Sequence, residues 1–302
     1  MFLRREEDFK KYLRAGEIAS RVMREALSLV RPGRSLLEVA SEIEKRIIEY
    51  GGRPAFPVNI SIGYEAAHYT PIENDKKIFP DKGIVKIDLG VHIDGFIADM
   101  ARSIDLGGEY QDIVEAAEES LLKAIEKIGV GVSAREIGRV IENTAKSRGY
   151  RVVKNLSGHK LEKYRLHAGY NVPNYPDPLA LWRFSDNSAY AIEPFVTNGR
   201  GYVEEDENIV TIFSTKKMLG REENDLIRKL HERFDSLPFC GRWIRDLIPD
   251  PDKVLYSLYR KKIIHGYPLL TESRNAQVAQ SEDTIVIYEK KVHVITRRNL
   301  II

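Results

Sequence analysis

The sequence predicts an α+β fold made of two similar halves, with a small α-rich insertion in the second half. Three patterns lead to this expectation. Two amphipathic helices followed by strands occur twice in succession along the chain. Apolar and polar residues alternate on both sides of Asp94-Gly95, which predicts a β-hairpin over residues 84–105. A helical pattern over residues 215–262 then interrupts the last strands.

The composition excludes several classes of protein. The chain has 302 residues and a formal net charge of +2, so no bulk attraction to nucleic acid or to a membrane is expected. Its single cysteine, Cys240, excludes an internal disulfide and a zinc site built from several thiolates. The N-terminal stretch is charged and lacks the apolar segment of a signal peptide. No apolar run approaches the ~20 residues of a membrane span, so we expect a cytoplasmic protein.

The first half begins with two predicted helices. Apolar residues recur at helical spacing over about residues 4–30. A second helix is expected to start at Ser35, where Glu38 three residues later completes a capping box, and to stop at Gly51. Extended chain and a short strand over residues 60–62 then precede the hairpin.

The second half repeats this pattern. A helix is predicted over residues 111–128, and another from Ser133, with Glu136 in a capping box, to Gly149. Seven positions of the first half, Gly33, Ser35, Glu38, Val39, Ile43, Glu44 and Gly51, match Gly131, Ser133, Glu136, Ile137, Ile141, Glu142 and Gly149. The match suggests two halves related by a pseudo-two-fold axis, and a site between them would take ligands from both.

Strands are predicted near residues 151–154, 188–196, 209–214 and 284–296. The helical segment between the last two has a mild excess of lysine and arginine. This excess is better explained by a solvated outer face than by nucleic-acid contact.

Asp88 and Asp99 lie on the two strands of the predicted hairpin. A turn at Ile93-Asp94 would pair them directly, and a turn at Asp94-Gly95 would place them diagonally. Both registers put the carboxylates on one face, within the ~7–8 Å reach of diagonal neighbours. Two like charges among apolar residues repel each other unless a cation or a proton intervenes. The pair is a metal-site candidate, and two ordinary strand-end aspartates are the alternative.

Further candidate ligands lie at turns and strand ends. His159 adjoins a glycine, Glu193 ends an apolar strand before a proline, and Glu282 precedes another apolar strand. His68 and His167 lie in the segments YEAAHYTP and LHAG. Each residue taken alone is also explained as a turn or surface residue.

Five ordered motifs connect these residues: KIDLGVHIDGFIAD, SGHKLEKYRLHAG, YAIEPF, IIHGYPLL and AQSEDT. Together they resemble the type 2 methionine aminopeptidases, in their archaeal form, which have the pita-bread (creatinase/aminopeptidase) fold. The resemblance covers almost the whole chain. It implies one catalytic domain over residues 1–302, with an antiparallel sheet, outer helices and residues 215–262 as an inserted helical subdomain.

The resemblance implies that five side chains bind two divalent metal ions. Asp99 and Glu282 would bridge both ions, Asp88 would complete one site, and His159 with Glu193 would complete the other. Four carboxylates balance the charge of two divalent cations. Oxygen ligands with one imidazole suit Mn, Fe, Co or Zn.

The activity implied by the resemblance is removal of the N-terminal methionine from nascent polypeptides by metal-activated water. Glu193 would be the general base, and His68 and His167 would hold the scissile amide and stabilise the oxyanion. Phe56, Tyr267 and His167 would surround an apolar pocket for the methionine side chain. For Phe56 and Tyr267, an ordinary place in the core is the alternative.

Two positions depart from the family pattern. Asp283 stands where the family commonly has histidine, and we expect it to add negative charge beside Glu282. Met100 stands beside Asp99 where a smaller residue is usual. No role is expected for His92, His231, His265 and His293.

Two other functions remain open. A binding protein of the same fold that has lost its metals would show a broken ligand set, and a prolidase or X-Pro aminopeptidase would carry an additional N-terminal domain. We expect a monomer with no membrane or specific nucleic-acid partner. Any ribosome contact made by the insertion would be additional to catalysis.

Overall fold

The computed structural model describes residues 6–215 and 225–297. All four helices expected in the two halves form within these ranges: α1 (Glu6–Leu29), α2 (Leu36–Glu49), α3 (Gln111–Lys127) and α4 (Ala134–Ser147). The expected start of the first helix near residue 4 lies outside the described residues. The inserted segment contributes α5 (Asp225–Phe234), a 3₁₀ helix (Gly241–Ile244) and α6 (Pro251–Arg260).

The strands of the described residues are more numerous and shorter than expected. They are β1 (Arg53–Ile62), β2 (Glu65–Ala67), β3 (Gly83–Ile93), β4 (Phe96–Leu106), β5 (Arg151–Val152), β6 (Ser157–Leu161), β7 (Asn171–Pro173), β8 (Ser188–Ile192), β9 (Phe195–Thr197), β10 (Glu204–Ser214), β11 (His265–Thr271), β12 (Val278–Gln280), β13 (Asp283–Tyr288) and β14 (Lys291–Val294). The single strand expected over 188–196 is therefore two strands, β8 and β9. The one expected over 284–296 is a hairpin of β13 and β14.

The strands pair antiparallel in four sheets. The first half contributes the order β1-β3-β4, and the second half contributes the five-stranded order β14-β13-β8-β6-β7. Two smaller sheets have the orders β10-β11-β2 and β12-β9-β5. The main sheets of the halves meet where Ala101 of β4 forms a bridge with Glu282, beside β13.

The hairpin of β3 and β4 turns at Asp94-Gly95. Both turn residues have left-handed backbones, with φ of 49° and 87°, as a two-residue hairpin turn that follows strand twist requires. Ile93 therefore pairs with Phe96, and Asp99 lies opposite Gly90. The diagonal arrangement of Asp88 and Asp99 is the one that forms.

Matching positions of the two halves have the same local geometry. Gly33 and Gly131 precede the second helix of each half with φ of 77° and 85°, conformations that glycine adopts at little cost. Gly33 N donates to Phe79 O at 2.9 Å, and Gly131 N donates to Phe184 O at 2.8 Å. This repeated contact supports the pseudo-symmetric halves that the sequence predicts.

The side-chain hydrogen bond of the expected capping box forms at Ser35 but not at Ser133. At α2, the Ser35 hydroxyl accepts from Glu38 N at 3.4 Å, as expected. At α4, Ser133 occupies the N-cap position but its side chain makes no capping hydrogen bond. Glu136 N instead donates to the Ser133 main-chain oxygen at 3.0 Å, which closes the first turn without the hydroxyl.

Each half has its own apolar core between helices and sheet. The first core joins α1 and α2 to β1, β3 and β4, and includes the fully buried Met23 and Ile43. The second joins α3 and α4 to β8 and β13, with Leu121 and Ile285 buried. The helices cover the outer faces of the sheets, so the carboxylate-bearing strands lie between the two cores.

A third apolar cluster belongs to the inserted segment. Ile227, Leu230 and Leu255 pack with Phe239 and with Phe213 of β10. Phe213 N donates to Phe239 O at 2.8 Å, and the reverse bond is 2.7 Å. Residues 216–224 of the predicted insertion lie outside the described residues, and its status as a subdomain stays a prediction. Among the described helices, none is long and apolar enough to cross a membrane.

Candidate metal centre

The five side chains expected to bind metal come from both halves of the fold. Asp88 and Asp99 lie on β3 and β4, His159 on β6, Glu193 just after β8, and Glu282 between β12 and β13. Antiparallel pairing of β6 and β8 sets His159 opposite Ala191, two residues before Glu193. The topology thus carries residues that are far apart in sequence to one place.

Three of these side chains can contact one ion. Asp99, His159 and Glu282 are buried, and each offers a ligand atom within 4.8 Å of the others. His159 Nε2 lies 3.6 Å from Asp99 Oδ2 and 3.4 Å from Glu193 Oε1. Ligands of a transition-metal ion sit about 2.0–2.2 Å from it, so atoms at these separations can share one ion.

Asp88 joins the group through its register in the hairpin. It lies opposite Ala101, and Glu282 N donates to Ala101 O at 2.9 Å from the other side. Gln280 Nε2 donates to Glu282 Oε2 at 3.0 Å, and against the larger effect of burial it also lowers the pKa of Asp88. Gln280 therefore orients the Glu282 carboxylate near Asp88, a role that the sequence reasoning missed although the residue lies in the AQSEDT motif.

The carboxylates repel one another strongly. Burial raises the pKa of Asp88 to about 7. Burial and then the charge of Asp88 raise the pKa of Asp99, while burial and then the charge of Asp99 raise the pKa of Glu193. The pKa of Glu282 rises for the same reasons, burial first and Asp99 second. Because every shift disfavours the charged form, the cluster is compatible with cations that would neutralise it.

Two oxygen atoms of the cluster have no partner within the part of the chain that the structure describes. Among residues 6–215 and 225–297, Asp88 Oδ1 and Asp99 Oδ1 are buried and accept no hydrogen bond. Buried polar atoms are nearly always satisfied, so an unpartnered pair beside His159 fits a site for a metal ligand set of oxygen and imidazole. The residues present therefore fit divalent metal ions.

The strand that follows Glu282 also fixes Asp99. Thr284 Oγ1 accepts from Asp99 N at 2.7 Å and lies 2.8 Å from Asp99 O. The hydroxyl of one half thus clamps the main chain of a carboxylate in the other half.

As expected, Asp283 adds negative charge beside Glu282: after burial and the other carboxylates, its charge also raises the pKa of Glu282. Arg102 Nη2 donates to both Asp283 oxygens at 2.9 and 3.1 Å, and Arg297 Nε donates to Oδ2 at 2.5 Å. Arg102 Nη1 also donates to Glu282 O at 2.6 Å. The buried Asp283 carboxylate also belongs to an ion-pair network with Arg102 and Arg297.

Met100 does not intrude on the cluster. It lies opposite Leu89 and is fully buried in the core of the first half. Successive side chains of a strand point to opposite faces, so Met100 and Asp99 face different sides of β4.

The two expected catalytic histidines lie beside the carboxylates in a cluster of rings. The His167 ring is 4.5 Å from His159 and 6.3 Å from Tyr267, and the His68 ring is 5.6 Å from Tyr267. Burial, followed by the charge of His167, lowers the pKa of His68 to about 4, so His68 is neutral at pH 7. His265, for which no role was expected, places its ring 4.6 Å from Tyr267. The period-2 spacing along β11 could have indicated this contact.

Phe56 lies on β1, which pairs with the hairpin strand β3 along the edge opposite to β4. It is buried in the core of the first half and pairs with Gly90, which itself pairs with Asp99. A Cβ at Gly90 would come within 2.3 Å of the Phe56 ring, so only glycine allows this approach. Tyr267 lies on β11, with its hydroxyl 3.2 Å from Ser214 Oγ.

Comparisons with known proteins agree with this architecture. The model of metallopeptidase family M24 matches residues 10–289. The methionine aminopeptidase of Pyrococcus horikoshii is 41% identical over 293 residues, which are 96% of this chain and 99% of the relative. That of Methanocaldococcus jannaschii is 40% identical over 294 residues, with the same two shares.

A solved structure extends the comparison to the fold. The crystal structure of methionine aminopeptidase from Thermotoga maritima superposes with a TM-score of 0.71 at 20% identity, covering 99% of this chain and all of the other. The α+β pita-bread fold expected from the motifs is thereby confirmed.

Proposed function

Because the chain belongs to metallopeptidase family M24, we propose that it removes the N-terminal methionine from polypeptides by hydrolysis. The observation that carries this proposal is the convergence of four carboxylates and His159 from both halves. Among the described residues, two buried oxygens of this cluster accept no hydrogen bond, and burial with mutual repulsion raises the carboxyl pKa values. Both features favour the binding of cations beside the rings of His68, His167 and Tyr267.

Five side chains would hold two divalent metal ions, drawn from Mn, Fe, Co and Zn. Asp99 and Glu282 would bridge the two ions, because both offer ligand atoms within 4.8 Å of one on His159 and both have their pKa raised by burial and, to a smaller extent, by the charge of Asp88. Asp88 would complete one site, and His159 with Glu193 the other. When bound, two such ions polarise the scissile carbonyl and lower the pKa of an attacking water.

Glu193 is the proposed general base. Its carboxylate lies next to His159, and burial raises its pKa, so it can take a proton from water and later return it to the leaving amine. His68 and His167 would hold the scissile amide and stabilise the oxyanion. Because burial lowers the pKa of His68 to about 4, its ring is neutral at pH 7 and adds no positive charge beside the cations. Its Nδ1 lies 3.2 Å from Pro268 O and donates to that oxygen, so Nε2 is left as an acceptor for the N–H of the scissile amide.

The methionine side chain would occupy an apolar pocket beside Phe56, Tyr267 and His167. Aromatic edges and a flexible thioether make favourable contacts. The positions of His167 and Tyr267 in one ring cluster support this assignment. Phe56 would contribute from β1, which is separated from the Asp99 strand by the Asp88 strand β3.

Two alternatives receive less support. A binding protein without metals has no use for a buried, mutually repelling carboxylate cluster, and all five expected ligands are present. A dipeptidase or X-Pro peptidase is disfavoured because the relatives that match over 99% of their length are methionine aminopeptidases. A cytoplasmic location, a monomeric state and any ribosome contact stay predictions.

The test is incubation of metal-stripped protein with Met-Ala-Ser peptides, with and without added Mn²⁺, Co²⁺, Zn²⁺ or Fe²⁺. Mass spectrometry should detect loss of the methionine residue only when a metal is present. A Pro-Ala-Ser peptide, a Met-Pro dipeptide and an N-acetylated Met-Ala-Ser peptide serve as controls for specificity and for the free amine. No release with any of the metals would contradict the proposal.

A further inference from the structure

We propose that Arg242, in the inserted helical segment, is a positioning residue that holds the loop of His68 in its working geometry. This inference rests on the proposed function, because it concerns a residue assigned there to the substrate amide. It also gives the inserted segment a role in the reaction that does not depend on any outside partner.

Arg242 lies on the 3₁₀ helix of the insertion and is almost buried. Its side chain is 10% exposed, and its partner Glu44 on α2 is 8% exposed. Arg242 Nη1 and Nη2 donate to the two oxygens of Glu44 at 2.7 and 2.9 Å. This two-point ion pair fixes the plane of the guanidinium group, so its remaining donors point in a set direction.

Those remaining donors bind the loop that follows His68. Arg242 Nε donates to Pro71 O at 2.7 Å, and Nη2 donates to Thr70 Oγ1 at 3.0 Å. Thr70 is fully buried, and its main-chain N donates to Thr211 Oγ1 at 3.3 Å. The two residues of the chain after Tyr69 are therefore held from the insertion and from β10.

His68 needs such support because its own backbone is unfavourable. Its φ of 68° lies in the left-handed region, which a non-glycine residue rarely adopts unless its surroundings hold it there. The His68 ring reaches Pro268 O on β11, and Tyr69 O accepts from Ile60 N at 2.8 Å. Release of the chain at Thr70 would let His68 relax and move its ring.

The insertion itself is anchored independently of this loop. Trp243, the next residue along the 3₁₀ helix, donates from Nε1 to Glu44 Oε2 at 2.9 Å. Phe239 joins the segment to Phe213 of β10 through two main-chain bonds. Loss of the Thr70 contact can therefore be separated from loss of the insertion.

The test uses a minimal variant with matched controls. Thr70→Val removes the hydroxyl that accepts from Arg242 and leaves the Glu44 pair intact. Arg242→Lys keeps the charge but loses the two-point geometry. Trp243→Phe removes a contact to Glu44 without touching the loop. Thr144→Val removes a buried hydroxyl on α4 that bonds only Val140 O of its own helix.

We expect Thr70→Val and Arg242→Lys to lower kcat by about tenfold with KM changed less than about twofold, since small misplacement of a reacting group costs up to about 10²-fold. Metal content should not change. In a His68→Ala background the same two substitutions should cause no further loss of kcat, because residues that act as a unit are not additive. The two control variants should keep the activity of the wild-type chain.

A second readout does not depend on turnover. The imidazole NMR signals of His68 should shift in Thr70→Val and stay unchanged in Thr144→Val. Equal losses of kcat in the presence and absence of the His68 side chain, or unchanged His68 signals in Thr70→Val, would overturn the inference. A wild-type chain that releases no methionine with any metal would instead refute the proposed function, and the NMR comparison would still decide the role of Arg242.

Discussion

Replacement of Asp88 by asparagine should stabilise the metal-free protein at neutral pH and weaken its stabilisation by metal. The substitution keeps the shape of the side chain, but it removes one negative charge from a cluster of four. The charge is unfavourable in the folded protein because burial raises the pKa of Asp88, and the Asp88 charge in turn helps to raise the pKa of Asp99, Glu193 and Glu282.

The size of the effect follows from the pKa of Asp88. In the folded protein this pKa is about 7, against an ordinary value of 3.8. The folded state therefore keeps a proton that the unfolded chain has lost, and the free energy of unfolding falls as the pH rises between these two values. At about 1.4 kcal/mol per pH unit, the loss reaches about 4 kcal/mol above pH 7. This figure is an upper bound because part of the Asp88 side chain is open to solvent.

Buried histidines have the opposite effect on the free energy of unfolding over part of this pH range. Burial lowers the pKa of His68 and of His92 to about 4, so their contribution to stability is lost as the pH falls below about 6.5. Both terms are present in the wild-type chain and in Asp88→Asn. The difference between the two proteins therefore isolates the carboxylate.

The assay is urea unfolding of both proteins in excess EDTA at several pH values from about 4 to about 8.5, repeated with Mn²⁺. In EDTA the variant should gain stability over the wild type with rising pH and level off above pH 7. With Mn²⁺ the order should reverse, because the wild type binds the ions more tightly. A variant that is less stable than the wild type in EDTA at about pH 8 would refute the reasoning.

Four further predictions concern three single side chains and the substrate. Asp99→Asn should abolish methionine release and weaken metal binding with the fold intact, as checked by peptide assay, elemental analysis and circular dichroism; full turnover would count against a ligand role. His68→Ala should lower kcat far more than metal content, and an empty metal site in this variant would make His68 a ligand. Asp283→Asn should destabilise the protein by about 3–5 kcal/mol because Arg102 stays buried with less compensation, whereas the exposed Asp112→Asn should cost less than about 1 kcal/mol; equal urea midpoints would contradict this. Methionine followed by Gly, Ala, Val or Thr should be released and methionine followed by Lys should resist, and mass spectrometry of a peptide series decides this.

Local sequence signals predicted the elements that depend on local physics. The four helices of the two halves follow from apolar periodicity and from breaks at glycine. The hairpin follows from Asp94-Gly95, but the sequence left two registers open, and the structure adopts the one whose two turn residues are both left-handed. The match of Gly33 with Gly131 could also be found from local sequence, because each glycine lies just before the second helix of its half.

Elements that depend on distant partners were not predictable in this way. Strand β12 has only three residues, and it forms because Val278 to Gln280 pair with Thr197 to Phe195, far earlier in the chain. No periodicity marks so short a strand. Its pairing nevertheless places Gln280 beside Glu282.

The residues of the candidate site also fall into those that local sequence signals bring together and those that they do not. Asp88 and Asp99 could be brought together from the hairpin alone, and His159, Glu193 and Glu282 required the family resemblance. The pair of Arg102 and Asp283 spans 181 positions. The Arg102 partner of Asp283 was therefore not predicted, because nothing near Asp283 in sequence reveals it.

The central claim is that five side chains from both halves bind two metal ions, and anomalous diffraction tests it most directly. Crystals grown with Mn²⁺ should give two peaks at the manganese edge, separated by about 3.5–4 Å as in other two-metal sites, among Asp88, Asp99, His159, Glu193 and Glu282. The absence of any peak among these five residues at saturating Mn²⁺, or peaks only elsewhere on the protein, would contradict the claim.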